Sequence, residues 1–207
     1  MTKKQILLLP VLLLLCSCYP LASFQEPGIL PEGTETVGIG WAIFSNVSAD
    51  PDTSQNEAVF TDFSVSFRRG LTQNTELGLK FTGLPWRGGA VQSDVKWQVL
   101  EKPIPVTLDF GISYWNYSSN DQFVGLHPGI LIGNETFFVN LSINRLASQN
   151  MVSNTEGLVL GRQITLEDEK YILTPFLGLH RNPEQPKDIY YSIGFGFKQS
   201  LDGWDLR

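Results

Sequence analysis

Residues 106–114 read Val-Thr-Leu-Asp-Phe-Gly-Ile-Ser-Tyr. Val106, Leu108, Phe110, Ile112 and Tyr114 are apolar, and Thr107, Asp109, Gly111 and Ser113 between them are polar or small. A strand turns successive side chains to opposite faces, so this alternation predicts a strand with one apolar and one polar face. The pattern continues in both directions. Toward the N-terminus, Phe63, Val65 and Phe67 stand opposite Asp62, Ser64, Ser66 and Arg68. Leu77, Leu79 and Phe81 stand opposite Glu76, Gly78 and Lys80, and Val91, Val95, Trp97 and Val99 opposite Gln92, Asp94, Lys96 and Gln98. Toward the C-terminus, Ile189, Tyr191, Ile193, Phe195 and Phe197 stand opposite Tyr190, Ser192, Gly194, Gly196 and Lys198. No stretch of comparable length carries an apolar stripe with a 3.6-residue period. The chain is expected to be all-β.

The alternation predicts about ten strands, at roughly 36–45, 59–69, 75–84, 89–100, 104–116, 122–133, 136–147, 156–165, 169–180 and 188–199. Arg162 sits awkwardly in the eighth. Pro128 interrupts the sixth, which points to an edge or a bulge. Polar stretches at about 46–58, 116–122, 148–155 and 181–188 read as loops, and shorter turns lie between them. This alternation of long and short connections suits an outer-membrane barrel with short periplasmic turns and longer outside loops. An even strand count also returns both termini to the periplasmic side. The expected fold is a single antiparallel up-and-down β-barrel of the outer-membrane type.

Alternation alone leaves open which face is wet. A soluble sandwich or lipocalin-like barrel that binds a small apolar ligand would bury the same apolar residues inward. Three features favour lipid on the apolar side. Charged residues are 17% of the chain, below the roughly 25% usual for soluble domains. The polar face is rich in Gly, Ser and Asn, and its charges come in both signs: Asp62, Arg68, Glu76, Lys80, Asp94, Lys96 and Asp109, with His127 on the same face. A closed lumen needs that compensation, because buried charges must be paired. Aromatic residues near strand ends, among them Trp41, Phe60, Trp86, Trp97, Tyr114, Trp115, Tyr171 and Tyr191, suit interfacial girdles.

The stretch Phe67-Arg-Arg-Gly-Leu-Thr-Gln-Asn-Thr-Glu-Leu-Gly-Leu-Lys80 resembles the hairpins of small bacterial outer-membrane β-barrel proteins. In those hairpins a strand ending in arginine runs through a Gly-Leu-Thr-x-Asn turn into an alternating Glu-Leu-Gly-Leu strand. Asp94-Val-Lys-Trp-Gln-Val-Leu100 is similar in style. The resemblance implies an architecture and not an activity. Such barrels often end in an aromatic residue, whereas this sequence ends Gly203-Trp204-Asp205-Leu206-Arg207.

The N-terminus reads as an export signal. Lys3 and Lys4 precede an apolar run from Ile6 to Leu15, broken only by Pro10 and too short to span a bilayer. Leu15-Cys16-Ser17-Cys18 resembles the bacterial lipobox, which implies cleavage before Cys18 and diacylglycerol on its sulfur. The expected organisation is a signal peptide at 1–17, a lipidated tether at 18–35 and the barrel at 36–207. Both cysteines of the chain lie in the first 18 residues, so no mature disulfide or cysteine metal site is expected.

No cofactor is expected. The formal charge of −6 argues against a nucleic-acid partner, and the expected partner is outer-membrane lipid, with an envelope or surface protein at the loops. The polar cluster Asp62, Arg68, Glu76, Lys80, Asp94, Lys96, Asp109 and His127 is the candidate lumen site. A bore of ten strands is expected to be nearly filled by side chains, which argues against a general porin but leaves room for a narrow pore or small-ligand site. His180, with Asp188 or Asp121, sketches an alternative rim-active hydrolase or acyltransferase. Asp50, Asp52 and Glu167-Asp168-Glu169 read as solvated turns, and no zinc spacing, phosphate loop or nucleophile elbow occurs.

Overall fold

The structure, a computed structural model, describes residues 28–48, 59–84, 88–118, 121–134, 136–148, 152–166, 170–183 and 185–201. The expected signal peptide and Cys18 lie outside them, as does Trp86. The strands are β1 (Glu35–Ser48), β2 (Val59–Thr72), β3 (Thr75–Leu84), β4 (Gly88–Leu100), β5 (Val106–Ser118), β6 (Asp121–Gly133), β7 (Phe137–Ala147), β8 (Val152–Arg162), β9 (Ile164–Leu166), β10 (Tyr171–Asn182) and β11 (Gln185–Ser200). Each pairs antiparallel with its neighbours, and β11 returns to pair with β1, so the sheet closes on itself. Closure leaves no long edge strand, and only the three-residue β9 pairs on one side alone, with β10.

The barrel has ten staves, because β8 and β9 are one stave broken at Gln163. Against β10 the pairs Phe176↔Gly161 and Leu173↔Ile164 are three residues apart on both strands, so nothing is inserted at the break. Pro175 falls opposite Arg162, beside the break, and has no N–H to donate. Arg162, the awkward residue of the sequence pattern, is the last of β8. It points outward, with its guanidinium 5.2 Å from the centre of the Phe137 ring. Pro128 marks neither an edge nor a bulge. The β6–β7 ladder skips His127 and Pro128 yet resumes unshifted, from Leu126↔Arg145 to Gly129↔Ser142.

The expected alternation of long and short connections is corrected. Only the first outer connection, from Ser48 to Val59, is long. The supposed loops at 116–122, 148–155 and 181–188 shrink to the residues between Ser118 and Asp121, Ala147 and Val152, and Asn182 and Gln185. Polarity at a strand end reports what surrounds the side chains. Whether the backbone pairs there depends on the neighbouring strand, and pairing continues beyond the apolar belt.

The two faces are inverted relative to a soluble protein. In β5, Thr107, Asp109 and Ser113 are 0%, 6% and 4% exposed, while Leu108, Phe110, Ile112 and Tyr114 are 38%, 57%, 53% and 46% exposed. This overturns the soluble sandwich or lipocalin-like reading, which needs the apolar face inside. Val106 to Tyr114 spans eight residue steps. At ~3.4 Å per residue and a tilt of ~40°, that is an apolar band roughly 21 Å tall, close to the ~25 Å of outer-membrane barrels. Among the described residues, outward charges on the strands occur only near the ends. Glu35, Arg69 and Arg162 lie at the end where β1 begins and β11 finishes, and Arg145, Glu156 and Arg181 at the other. Trp115 departs from the expected girdle: it points inward, 3% exposed, against Ala90 and Leu146.

The segment before β1 is folded against the barrel. Gly33, at φ +80°, turns the chain. Its N–H donates to Gly70 O at 3.0 Å, and Gly70 N–H donates to Thr34 O at 3.0 Å. Gly70 must lack a side chain, because a Cβ there would run into the carbonyl groups of Leu30 and Pro31. Residues 28–34, assigned by sequence to the tether, thus form a strap at the mouth where β2 ends and β3 begins.

Candidate functional site in the barrel lumen

All eight residues of the polar cluster occupy inward positions, which follows from their shared parity along β2 to β6. Asp62, Glu76, Lys80, Asp94, Lys96, Asp109 and His127 are each at most 8% exposed, and the Arg68 side chain is 10% exposed. The register brings five of them together in two rows. Glu76 lies opposite Lys96, and Lys96 opposite Asp109, across β3, β4 and β5. One step along, Arg68 and Asp94 flank Gly78.

Gly78 makes that second row work. Arg68 lies flat across it, and a Cβ at Gly78 would stand 2.6 Å from both Arg68 Nη1 and Asp94 Oδ1. Arg68 then reaches both acids. Its Nε–H donates to Glu76 Oε1. Its Nη2 donates to Asp94 Oδ2 at 2.5 Å, with Nη1 3.4 Å from Oδ1. Lys96 Nζ is 3.3 Å from Glu76 Oε1. The strap completes the set: Leu30 N–H donates to Glu76 Oε2 at 2.9 Å. Buried ion pairs persist when the remaining lone pairs are satisfied, and here one acid takes donors from three separate chain segments. Asp62 lies within electrostatic reach of Lys80 rather than inside this bonded group.

His127 belongs to a neighbouring group that the sequence did not reveal. Its Nδ1 is 2.8 Å from Asn144 Oδ1, and its Nε2 is 2.5 Å from Ser113 Oγ, which also accepts from Trp115 Nε1 at 2.5 Å. With Asn144 Oδ1 accepting, Nδ1 carries the proton and Nε2 accepts from the serine hydroxyl. The connectivity matches that of a nucleophile, base and orienting residue. Ser113 is nevertheless 4% exposed, already accepts from an indole, and does not line the lumen cavity. The group locks β5, β6 and β7 together.

His180 is corrected from a rim residue to a lumen one. It is 0% exposed, its Nε2 is 3.0 Å from Ser192 Oγ, and its ring lies 5.8 Å from that of Phe44. Gly157 supplies the room, since a Cβ there would stand 3.0 Å from His180 Nδ1. The side chains of Asp121 and Asp188, its supposed partners, lie outside the described residues. Around His180 the lumen is apolar: Ala42, Phe44, Val159 and Phe176 pack into a cluster from β1, β8 and β10.

Between the ion network and β11 a cavity of about 40 Å³ remains, counted as space open to the centres of water molecules. Arg68, Lys80, Lys96 and Lys198 line it, with Asp94 the one acid among its lining residues. Among the described residues no group of three His, Cys, Asp or Glu side chains is placed to hold a metal ion.

Neither a protein-family model nor a curated protein matches the chain. Solved structures do. An outer-membrane channel from Pseudomonas putida F1 aligns with a TM-score of 0.50 at 10% identity, covering 86% of this chain and 99% of that one. The outer-membrane protein OprG from Pseudomonas aeruginosa aligns at TM-score 0.35 and 14% identity, over 84% of this chain and 99% of its own. Ail of Yersinia pestis aligns at TM-score 0.35 and 8% identity, over 82% and 99%. The first likeness and the inverted faces agree on the class: an all-β, closed, antiparallel barrel of the outer-membrane type, with lipid against its apolar belt.

Proposed function

We propose that this protein is an outer-membrane barrel lipoprotein, anchored through Cys18, that serves a structural or surface-interaction role without general porin conductance. The carrying observation is the filled bore. The Arg68–Glu76–Asp94–Lys96 network occupies one side, and Phe44, Phe176 and His180 occupy another. Ten strands enclose little space beyond what such side chains fill. The strap supports the anchor. Ten residue steps lead from Cys18 to Gly28, at the start of the strap. Extended, they reach at most about 35 Å, so an acyl chain on Cys18 would enter the membrane beside the barrel.

The test uses the protein expressed with its own signal and purified from outer membranes. Mass spectrometry of the N-terminal peptide should find a diacylglyceryl adduct on Cys18, and planar bilayers should show no porin-sized conductance. An unmodified Cys18 would remove the lipoprotein reading. Steady conductance on the nanosiemens scale would remove the closed-bore reading.

A second reading is a small-ligand site or narrow pore near Asp94, Lys96, Asp109 and His127. The cavity beside Lys96 and Asp94 favours it.

A further inference from the structure

We propose that the lumen cavity is a binding site for a small inorganic oxyanion of the phosphate or sulfate type, held by Lys80, Lys96, Lys198 and Arg68. The proposal deepens the small-ligand reading and rests on it.

The argument starts from charge placement. The described inward side chains include four carboxylates, Asp62, Glu76, Asp94 and Asp109, and four cations, Arg68, Lys80, Lys96 and Lys198. The lumen is balanced as a whole, but the balance is not uniform. Four cations and one carboxylate line the cavity. Glu76 does not face it: its Oε1 takes Arg68 and Lys96, and its Oε2 takes the Leu30 amide of the strap. Asp94 lines the cavity but turns both oxygens to the Arg68 guanidinium. Asp62 and Asp109 are also not among the lining residues. Four cations thus line the space against one carboxylate, whose oxygens Arg68 already holds, while Asp62 and Asp109 stand outside the lining within electrostatic reach of Lys80.

The rest of the wall suits an oxyanion too. Ser64, Ser66 and Thr174 contribute hydroxyl groups and Gln92 an amide, and Gly38, Gly40 and Gly196 bring backbone close on the β1–β11 side. Hydroxyl, amide and ammonium groups all donate to an anion, and charge-assisted bonds in a water-poor site are the stronger kind. The size is right. One water needs about 10–15 Å³ by this measure, so the cavity holds roughly three waters or a single tetrahedral oxyanion in their place.

The experiment uses the full mature lipoprotein, solubilised in mild detergent, with unboiled gel migration confirming the folded barrel in every sample. Sodium phosphate and sodium sulfate are titrated calorimetrically at constant ionic strength set by sodium chloride. Saturable binding in the millimolar range or tighter is expected. Lys198→Gln should weaken it about tenfold, as expected for loss of one charge-assisted bond. Lys198 is half-buried near a strand end and outside the Arg68 network, so this variant is expected to fold. Lys80→Gln is the second variant and should weaken binding similarly. Arg181→Gln, on the outward face, should leave it unchanged. A folded wild type that takes up neither anion overturns the proposal, as does undiminished binding in both lysine variants. The closed-bore reading is judged separately by conductance, so either idea can fail without the other.

Discussion

The charged side of the lumen and its aromatic side fill the same bore by different chemistry. Across β2, β3 and β4, Arg68 bridges Glu76 and Asp94 over Gly78. Across β8, β10 and β1, Phe176, Val159 and Phe44 pack beside His180, which lies over Gly157. Both use one construction rule, a large inward side chain lying across an inward glycine of the next strand. They differ in what a missing piece leaves behind. On the charged side a deletion strands a buried ion, while on the aromatic side it leaves a gap. The charged side should therefore be brittle and the aromatic side tolerant.

The largest contrast is expected from Arg68→Ala. It leaves Glu76 and Asp94 without their shared partner and should destabilise the barrel by about 3–5 kcal/mol. Urea unfolding in lipid vesicles, followed by tryptophan fluorescence and gel migration, reads the loss. A loss under about 1 kcal/mol would mean that water, and not Arg68, satisfies the two acids.

The lipid-facing wall sharpens the comparison, because it should not distinguish the two sides. Phe110 stands on β5 within the charged sector, and Leu177 on β10 within the aromatic one, 57% and 59% exposed. Phe110→Arg and Leu177→Arg should each cost about 2–4 kcal/mol in the same assay, as for arginine placed near the bilayer midplane. Neutral outcomes at both would place that wall in water and undo the membrane reading.

Smaller still is the effect of Gly78→Val, which pushes Arg68 off its acids by crowding rather than deletion. About 1–3 kcal/mol is expected, the usual range for overpacking. The smallest is Phe176→Leu, a change within the aromatic cluster that strands no polar group. It should cost less than about 1.5 kcal/mol. If Phe176→Leu proves as damaging as Arg68→Ala, the distinction between brittle and tolerant sides is wrong.

Much of this architecture was legible in the chain. Alternation from Val106 to Tyr114 predicted the two faces of β5, and the same parity placed Asp62, Arg68, Glu76, Lys80, Asp94, Lys96, Asp109 and His127 on one side of the wall. The break in the eighth stave was foreshadowed by Arg162, but that Arg162 falls opposite Pro175 depends on how β8 and β10 align. Loop lengths were misread because hydropathy does not report backbone pairing. The Ser113–His127–Asn144 group was missed although Asn140, Ser142 and Asn144 share the polar parity of β7. The signal was present, but three strands had to be set in register before it meant anything. Leu30 left no signal at all, because what it offers Glu76 is a backbone amide.

The sequence by itself determined the strand period, the composition of the two faces and the balance of lumen charges, since these depend only on which side chain follows which. Tertiary structure decided which face is wet, which acids Arg68 serves, that His180 is sealed inside, and that four cations and one carboxylate line a cavity. Those outcomes depend on closure and register. A slip of one residue between two strands would move every inward side chain to the lipid. Local alternation reads the same whichever register the strands adopt.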